Sequence, residues 1–68
     1  MITLDMQPYQ VRVLEERKEL AARIERLMAF LAAPQVGPVT PEQRLLRVQL
    51  PVMQAYLAVL DERIELWD

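Results

Sequence analysis

Residues 45–67 read Leu45-Leu46-Arg47-Val48-Gln49-Leu50-Pro51-Val52-Met53-Gln54-Ala55-Tyr56-Leu57-Ala58-Val59-Leu60-Asp61-Glu62-Arg63-Ile64-Glu65-Leu66-Trp67. Leu46, Leu50, Met53, Leu57, Leu60, Ile64 and Trp67 recur at spacings of four and three without a miss. That period belongs to one stripe of an α-helix, and such a stripe demands a partner surface. A second stripe runs beside it through Leu45, Val52, Tyr56, Val59 and Leu66. One neighbouring helix covers one stripe, but hardly two. The expectation is a small all-α protein that completes its core by assembling with copies of itself.

Size points the same way. The 68 residues make a single domain, 1–68, in the range where one core is marginal, yet 53% of them are hydrophobic. Cysteine is absent, so neither disulfides nor thiolate metal sites can add stability. No run approaches the ~18 consecutive apolar residues of a membrane span. Met1-Ile2-Thr3-Leu4-Asp5 lacks the basic and apolar regions of a secretion signal, so the expected location is cytoplasmic and no membrane partner is expected.

Working back from the stripe, the segment Pro34-Gln35-Val36-Gly37-Pro38-Val39-Thr40 holds the only glycine and two of the five prolines. No helix continues through it. Beyond it Thr40 can cap, Pro41 occupies the first helical position, and Gln43 completes a Thr-x-x-Gln capping box. The spacing predicts helix two over about 41–66, the loop over 34–40, and helix one over about 8–33, opened by Pro8. The core stripe of helix one is Val13, Leu20, Ile24, Leu27 and Leu31, with Leu14, Ala21 and Met28 on the adjacent face. Glu19 with Arg23, and Arg12 with Glu16, stand four apart as expected ion pairs. A connection of about seven residues forces an antiparallel two-helix hairpin. Pro51 falls inside helix two while the stripe crosses it, which predicts a kinked helix and not a broken one. Ile2, Leu4 and Met6 read as a turn or arm against a neighbour.

Charge and side-chain chemistry narrow the function. A net charge of −2 argues against general DNA or RNA binding. An RNA-binding stripe on helix one would also be interrupted by Glu15, Glu16, Glu19 and Glu25. Of the eight cations, all but Lys18 are arginine: Arg12, Arg17, Arg23, Arg26, Arg44, Arg47 and Arg63. Guanidinium forks suit phosphate and carboxylate, although a GC-rich genome produces the same bias and composition alone favours that explanation. His, Cys, Ser and Asn are absent, leaving Thr3, Thr40, Lys18 and the carboxylates as reactive groups. With one glycine there is no phosphate-cradling loop, and without histidine a metal site at Glu15 and Glu16, or at Asp61, Glu62 and Glu65, is not expected. The chain reads as a binding protein with no cofactor, not an enzyme.

The binding candidates lie on helix one. Tyr9 stands at the helix start, three residues before Arg12, where an aromatic ring and a cation suit a ligand with a base and a phosphate. The residues alone favour a plainer role, with Tyr9 stapling the helix start to helix two. Arg23 and Arg26 share a face, and by themselves such pairs more often serve Glu19 or Glu25.

The pattern Pro8-Tyr9-Gln10-x-Arg12-Val13-x-Glu15-Glu16-x-Lys18-Glu19-Leu20, followed by Ile24-x-Arg26-Leu27-x-x-Phe30-Leu31, resembles the first helix of a family of small phage proteins. The run Glu42-Gln43-x-x-Leu46-x-x-Gln49, then Met53-Gln54-x-Tyr56-x-x-Val59-Leu60-x-x-Arg63-Ile64, resembles that family's second helix. The family is the phage anti-CBASS sponges, with relatives among crAss-like phage proteins, and the resemblance spans Pro8 to Ile64. It implies a homohexamer of two interlocked trimers of helical hairpins. It also implies sequestration, without cleavage, of the cyclic di- and trinucleotides that activate bacterial CBASS immunity, inside the infected host cell. By the same resemblance Tyr9 stacks on a base, with Arg12 beside it, while Arg23 or Arg26 meets phosphate where the family commonly has lysine. Arg47 is the candidate for a second pocket, for cyclic trinucleotides, between protomers.

Spacing ties binding to assembly. Tyr9 and Arg23 are fourteen residues apart, roughly 21 Å along a helix, and a cyclic dinucleotide is about half that long. Contact of both with one ligand requires two protomers. The remaining reading is a structural or adaptor oligomer that binds another protein through the second stripe.

Overall fold

The computed structural model of the protein describes residues 6–67, in two α-helices of 25 residues each: α1, Pro8–Ala32, and α2, Pro41–Glu65. The expected arm at Ile2 and Leu4 lies outside the described residues; Met6 is half-buried.

Local chemistry sets each helix end. At the start of α1, Gln7 is extended (φ −76°, ψ 153°) and Pro8 follows where its missing N–H is not needed. The Gln10 side chain accepts from the Gln7 N–H at 2.8 Å, so this end carries a cap that the sequence had not advertised. At the other end, Ala33 turns extended (φ −69°, ψ 146°) because Pro34 disfavours a helical residue before it. The start of α2 is built as its residues dictate. Gln43 N–H donates to Thr40 Oγ1 at 3.1 Å, and Thr40 N–H donates to Gln43 Oε1 at 3.0 Å. α2 then runs unbroken through Pro51 to Glu65, although Pro51 offers no N–H to the Arg47 carbonyl.

The loop between the helices is laced by two glutamines. Gln35 Nε2 donates to the Ala33 carbonyl at 2.9 Å and to the Phe30 carbonyl at 3.3 Å. Carbonyls at a helix end lack a following turn of donors, and Gln35 adds to the Ala33 N–H that the Phe30 carbonyl already accepts at 3.3 Å. Gln43 Nε2 then donates to Gln35 Oε1 at 2.7 Å, linking the end of α1 to the start of α2. Gly37 takes a positive φ of 84°, a conformation that strongly favours glycine.

Across the helices, the beginning of α1 meets the end of α2. Tyr9 packs on Trp67, Glu16 on Tyr56 and Arg17 on Asp61. The apolar contact is made by Val13, Leu20 and Ile24 of α1 against Leu60, which has no exposed surface. Leu50, Met53, Leu57, Ile64 and Trp67 pack half-buried around them. The first stripe of α2 is therefore buried or half-buried along its whole length. Leu27, Leu31 and Ala21 of α1 are half-buried, whereas Leu14 and Met28 point outward and stay exposed.

The second stripe of α2 is bare. Leu45 is 69% exposed, Val52 63%, Val59 50% and Leu66 82%, and Tyr56 is also exposed. Shape explains why. The chain is a rod of 53 × 17 × 15 Å with a radius of gyration of 15.9 Å. A compact domain of this length has a radius of gyration of roughly 11 Å. Its 5737 Å² of accessible surface likewise exceeds the roughly 4,500 Å² of a compact 8.0 kDa monomer. Two helices side by side have one interface, and each buries a single stripe in it. Among the described residues, no helix is long and apolar enough to cross a membrane.

Candidate functional site

The five sequence candidates divide into two groups on this rod. Tyr9 and Arg12 occupy the first turns of α1, at the end remote from the loop. Arg23 and Arg26 lie further along the same helix, and Arg47 stands in the second turn of α2. All five are exposed. Because α1 is uninterrupted, the roughly 21 Å between Tyr9 and Arg23 is a fixed distance within one chain. A single chain therefore does not bring the two groups together around one small ligand.

The Tyr9 end has features of its own. The Tyr9 and Trp67 rings meet edge-on, with centroids 6.2 Å apart and planes inclined at 75°. Such T-shaped pairs are favourable because a positive ring edge meets a negative ring face. Tyr9 is thus a staple between the helix start and helix two, as its position suggested, and it still exposes 46% of its surface. The first turn of α1 carries no acidic side chain, so the helix dipole and Arg12 both add positive potential there, while the Gln10 and Val11 N–H groups donate to the Gln7 carbonyl. Trp67 was legible as the last member of the stripe of α2. Its pairing with Tyr9 was not, since it depends on how the helices register.

Charge is segregated along the rod. The half next to the loop, residues 22–52, carries Arg23, Arg26, Arg44 and Arg47 against Glu25 and Glu42. Among the described residues, the far half carries Arg12, Arg17, Lys18 and Arg63 against Glu15, Glu16, Glu19, Asp61, Glu62 and Glu65. The excess of positive charge lies near the loop although the net charge is negative. The aromatic staple lies at the opposite end.

Two polar contacts absorb side chains of the far half. Arg17 Nε donates to Asp61 Oδ1 and Arg17 Nη2 lies 3.4 Å from Oδ2, a two-point grip between helices. The hydrogen bond to Asp61, and then the charge of that carboxylate, push the Arg17 guanidinium further above its ordinary range, against a smaller effect of burial. The Tyr56 hydroxyl donates to Glu16. Arg17–Asp61 is the ion pair found among the described residues. The expected intrahelical pairs Glu19–Arg23 and Arg12–Glu16 are not within 4.0 Å. Glu16 reaches across to Tyr56 instead, and Arg12 is exposed. No group of three or more carboxylates converges on a metal-binding arrangement among the described residues.

The Tyr56–Glu16 contact has a pH signature. The hydrogen bond to Glu16 pushes the Tyr56 phenol above its ordinary value of 10.0; burial and the Glu16 charge add to this, while Arg63 opposes it. A phenol raised in the folded state stabilises the fold fully below its unfolded pKa. That stabilisation is lost as pH rises through the raised value. In alkaline urea titrations, the parent is expected to lose an increment of stability above about pH 10 that Tyr56→Phe never had. Parallel pH profiles of the two proteins would show that the contact is absent in solution.

No curated protein and no solved structure matches this chain. The sequence model of the Sequestin family matches residues 7–66, both helices and the loop, in agreement with the resemblance to sponge proteins, and the chain belongs to the Sequestin family.

Proposed function

We propose that this protein is a phage anti-defence sponge that binds the cyclic di- and trinucleotide signals of CBASS immunity and withholds them uncleaved. Membership of the Sequestin family, whose name denotes sequestration, is the observation that carries the reading. The arrangement of residues supports it. A half-exposed aromatic ring lies in a first helical turn that carries no acidic side chain, and arginines collect in the other half of the rod.

In this reading the chains are antiparallel hairpins that assemble, as a hexamer by the family resemblance, in the cytoplasm of the infected bacterium. Assembly brings the Tyr9 and Arg12 of one protomer to the Arg23 and Arg26 of another. Tyr9 stacks on a base, and the guanidinium forks grip the phosphates from two sides. A cleft between subunits excludes water and strengthens those contacts. Arg47 serves a second pocket for cyclic trinucleotides.

Calorimetric titration of the purified protein with cyclic di- and trinucleotides tests this, with mass fixed by light scattering. Tight binding at no more than one dinucleotide per chain, with the ligand recovered intact, is the expected result. A well-formed oligomer that gives no heat with any of them would instead be an adaptor, using its bare stripe for another protein.

A further inference from the structure

Adding Val48 and Ala55 to the bare stripe of α2 reveals a heptad pattern that is apolar except at one d position, Glu62. Leu45, Val52, Val59 and Leu66 are spaced by seven, and Val48 and Ala55 fall between them, all exposed. In heptad letters the first set occupies a and the second occupies d. Valine and alanine are small, so a second helix can approach closely. The d position after Ala55 is Glu62, and the flanking positions hold Arg44 and Glu65 on one side and Glu42 and Arg63 on the other. These four flanking side chains are exposed.

We propose that this surface pairs with the same surface of a second copy, running in the opposite direction about a two-fold axis near Met53 and Gln54. Val52 of one copy then faces Ala55 of the other, Val48 faces Val59, and Glu62 faces Leu45 at the edge of the antiparallel register. In that register Arg44 meets Glu65 of the second copy and Glu42 meets its Arg63. Symmetry repeats both pairs, so each charged flank finds its counter-charge at the other end of the seam. A parallel pairing stacks Glu62 on Glu62 and sets Arg44 beside Gln49, so it gains no ion pair and adds a like-charge contact.

This self-complementarity makes a second copy the fitting occupant. The surface in excess of a compact monomer, roughly 1,200 Å² per chain, is more than the roughly 800 Å² that each partner buries in a standard stable interface. The pairing deepens the self-assembly part of the reading above and rests on it. It does not depend on nucleotide binding.

Two measurements on the full chain test the pairing. The first is sedimentation equilibrium of charge variants, which alter exposed residues and leave the core intact. Arg44→Glu is expected to weaken self-association about tenfold, because two symmetry-related attractions become repulsions. Adding Glu65→Arg in the same chain is expected to restore association to within about twofold of the parent. The second uses the absence of native cysteine. Chains carrying Val52→Cys and chains carrying Ala55→Cys, mixed in equal amounts and oxidised, are expected to give mainly the mixed disulfide. Homodisulfides between Cys-substituted positions 52 in excess would show parallel packing and overturn the proposal. It is equally overturned if both charge variants sediment like the parent, or if the second change rescues nothing. An oligomeric parent that binds cyclic dinucleotides and ignores the charge changes would refute the pairing and leave sequestration standing. A parent that is monomeric at every concentration would remove the pairing and the self-assembly together.

Discussion

Leu60→Ala is expected to destabilise the protein by about 2–5 kcal/mol, the range for truncating a buried leucine when its surroundings relax only in part. Leu60 is the side chain with no exposed surface, and it stands where Val13, Leu20 and Ile24 of α1 converge on α2. Domains of this length have total stabilities of roughly 3–10 kcal/mol, so the loss takes a large share of the fold. Urea denaturation followed by circular dichroism at several protein concentrations measures it. The cost should persist at every concentration, because the contact lies within one chain. Leu45→Ala offers the contrast: a 69% exposed position on the bare stripe should affect only the part of stability that rises with protein concentration. Equal effects of the two changes would contradict the division of α2 into a covered and an uncovered stripe.

Tyr9→Ala is expected to weaken cyclic dinucleotide binding by about 5–150-fold per site, since stacking of a base on an aromatic ring contributes about 1–3 kcal/mol. Two controls separate stacking from the staple. Tyr9→Phe keeps the ring and should bind nearly as the parent does. Trp67→Ala removes the edge-on contact while leaving Tyr9 in place, so it should lower stability more than affinity. Unchanged affinity in Tyr9→Ala would place the base elsewhere on the rod.

The helices were legible because their signals are local. Pro8 and Pro41 open them, Thr40 with Gln43 caps the second, and Pro34 ends the first; the predicted limits lie within a residue of those observed. The covered stripe of α2 was legible for the same reason, since a 3.6-residue period requires no knowledge of the partner. Glu16 illustrates what was not legible. It has Arg12 four residues away, yet it accepts from Tyr56, forty residues along the chain. Arg17 likewise selects Asp61 over nearer carboxylates, and Gln43 selects Gln35. Each long side chain has several partners in reach on paper, and only the register of the two helices chooses among them.

The candidate site follows the same division. That Tyr9 and Arg23 are too far apart for one small ligand was determined by residue count, because a helix is a ruler. That Tyr9 rests on Trp67 and remains half open was decided by tertiary packing. By itself, the sequence determined where the helices begin and end, which stripe of α2 is apolar enough to need cover, and where the arginines gather. Tertiary structure decided which stripe α1 covers, which polar side chains bridge the helices, and which apolar surface is left facing outward. Helix formation depends on neighbours within four residues, whereas the pairing of two helices depends on side chains up to about sixty residues apart, whose relative placement exists only once both helices have docked.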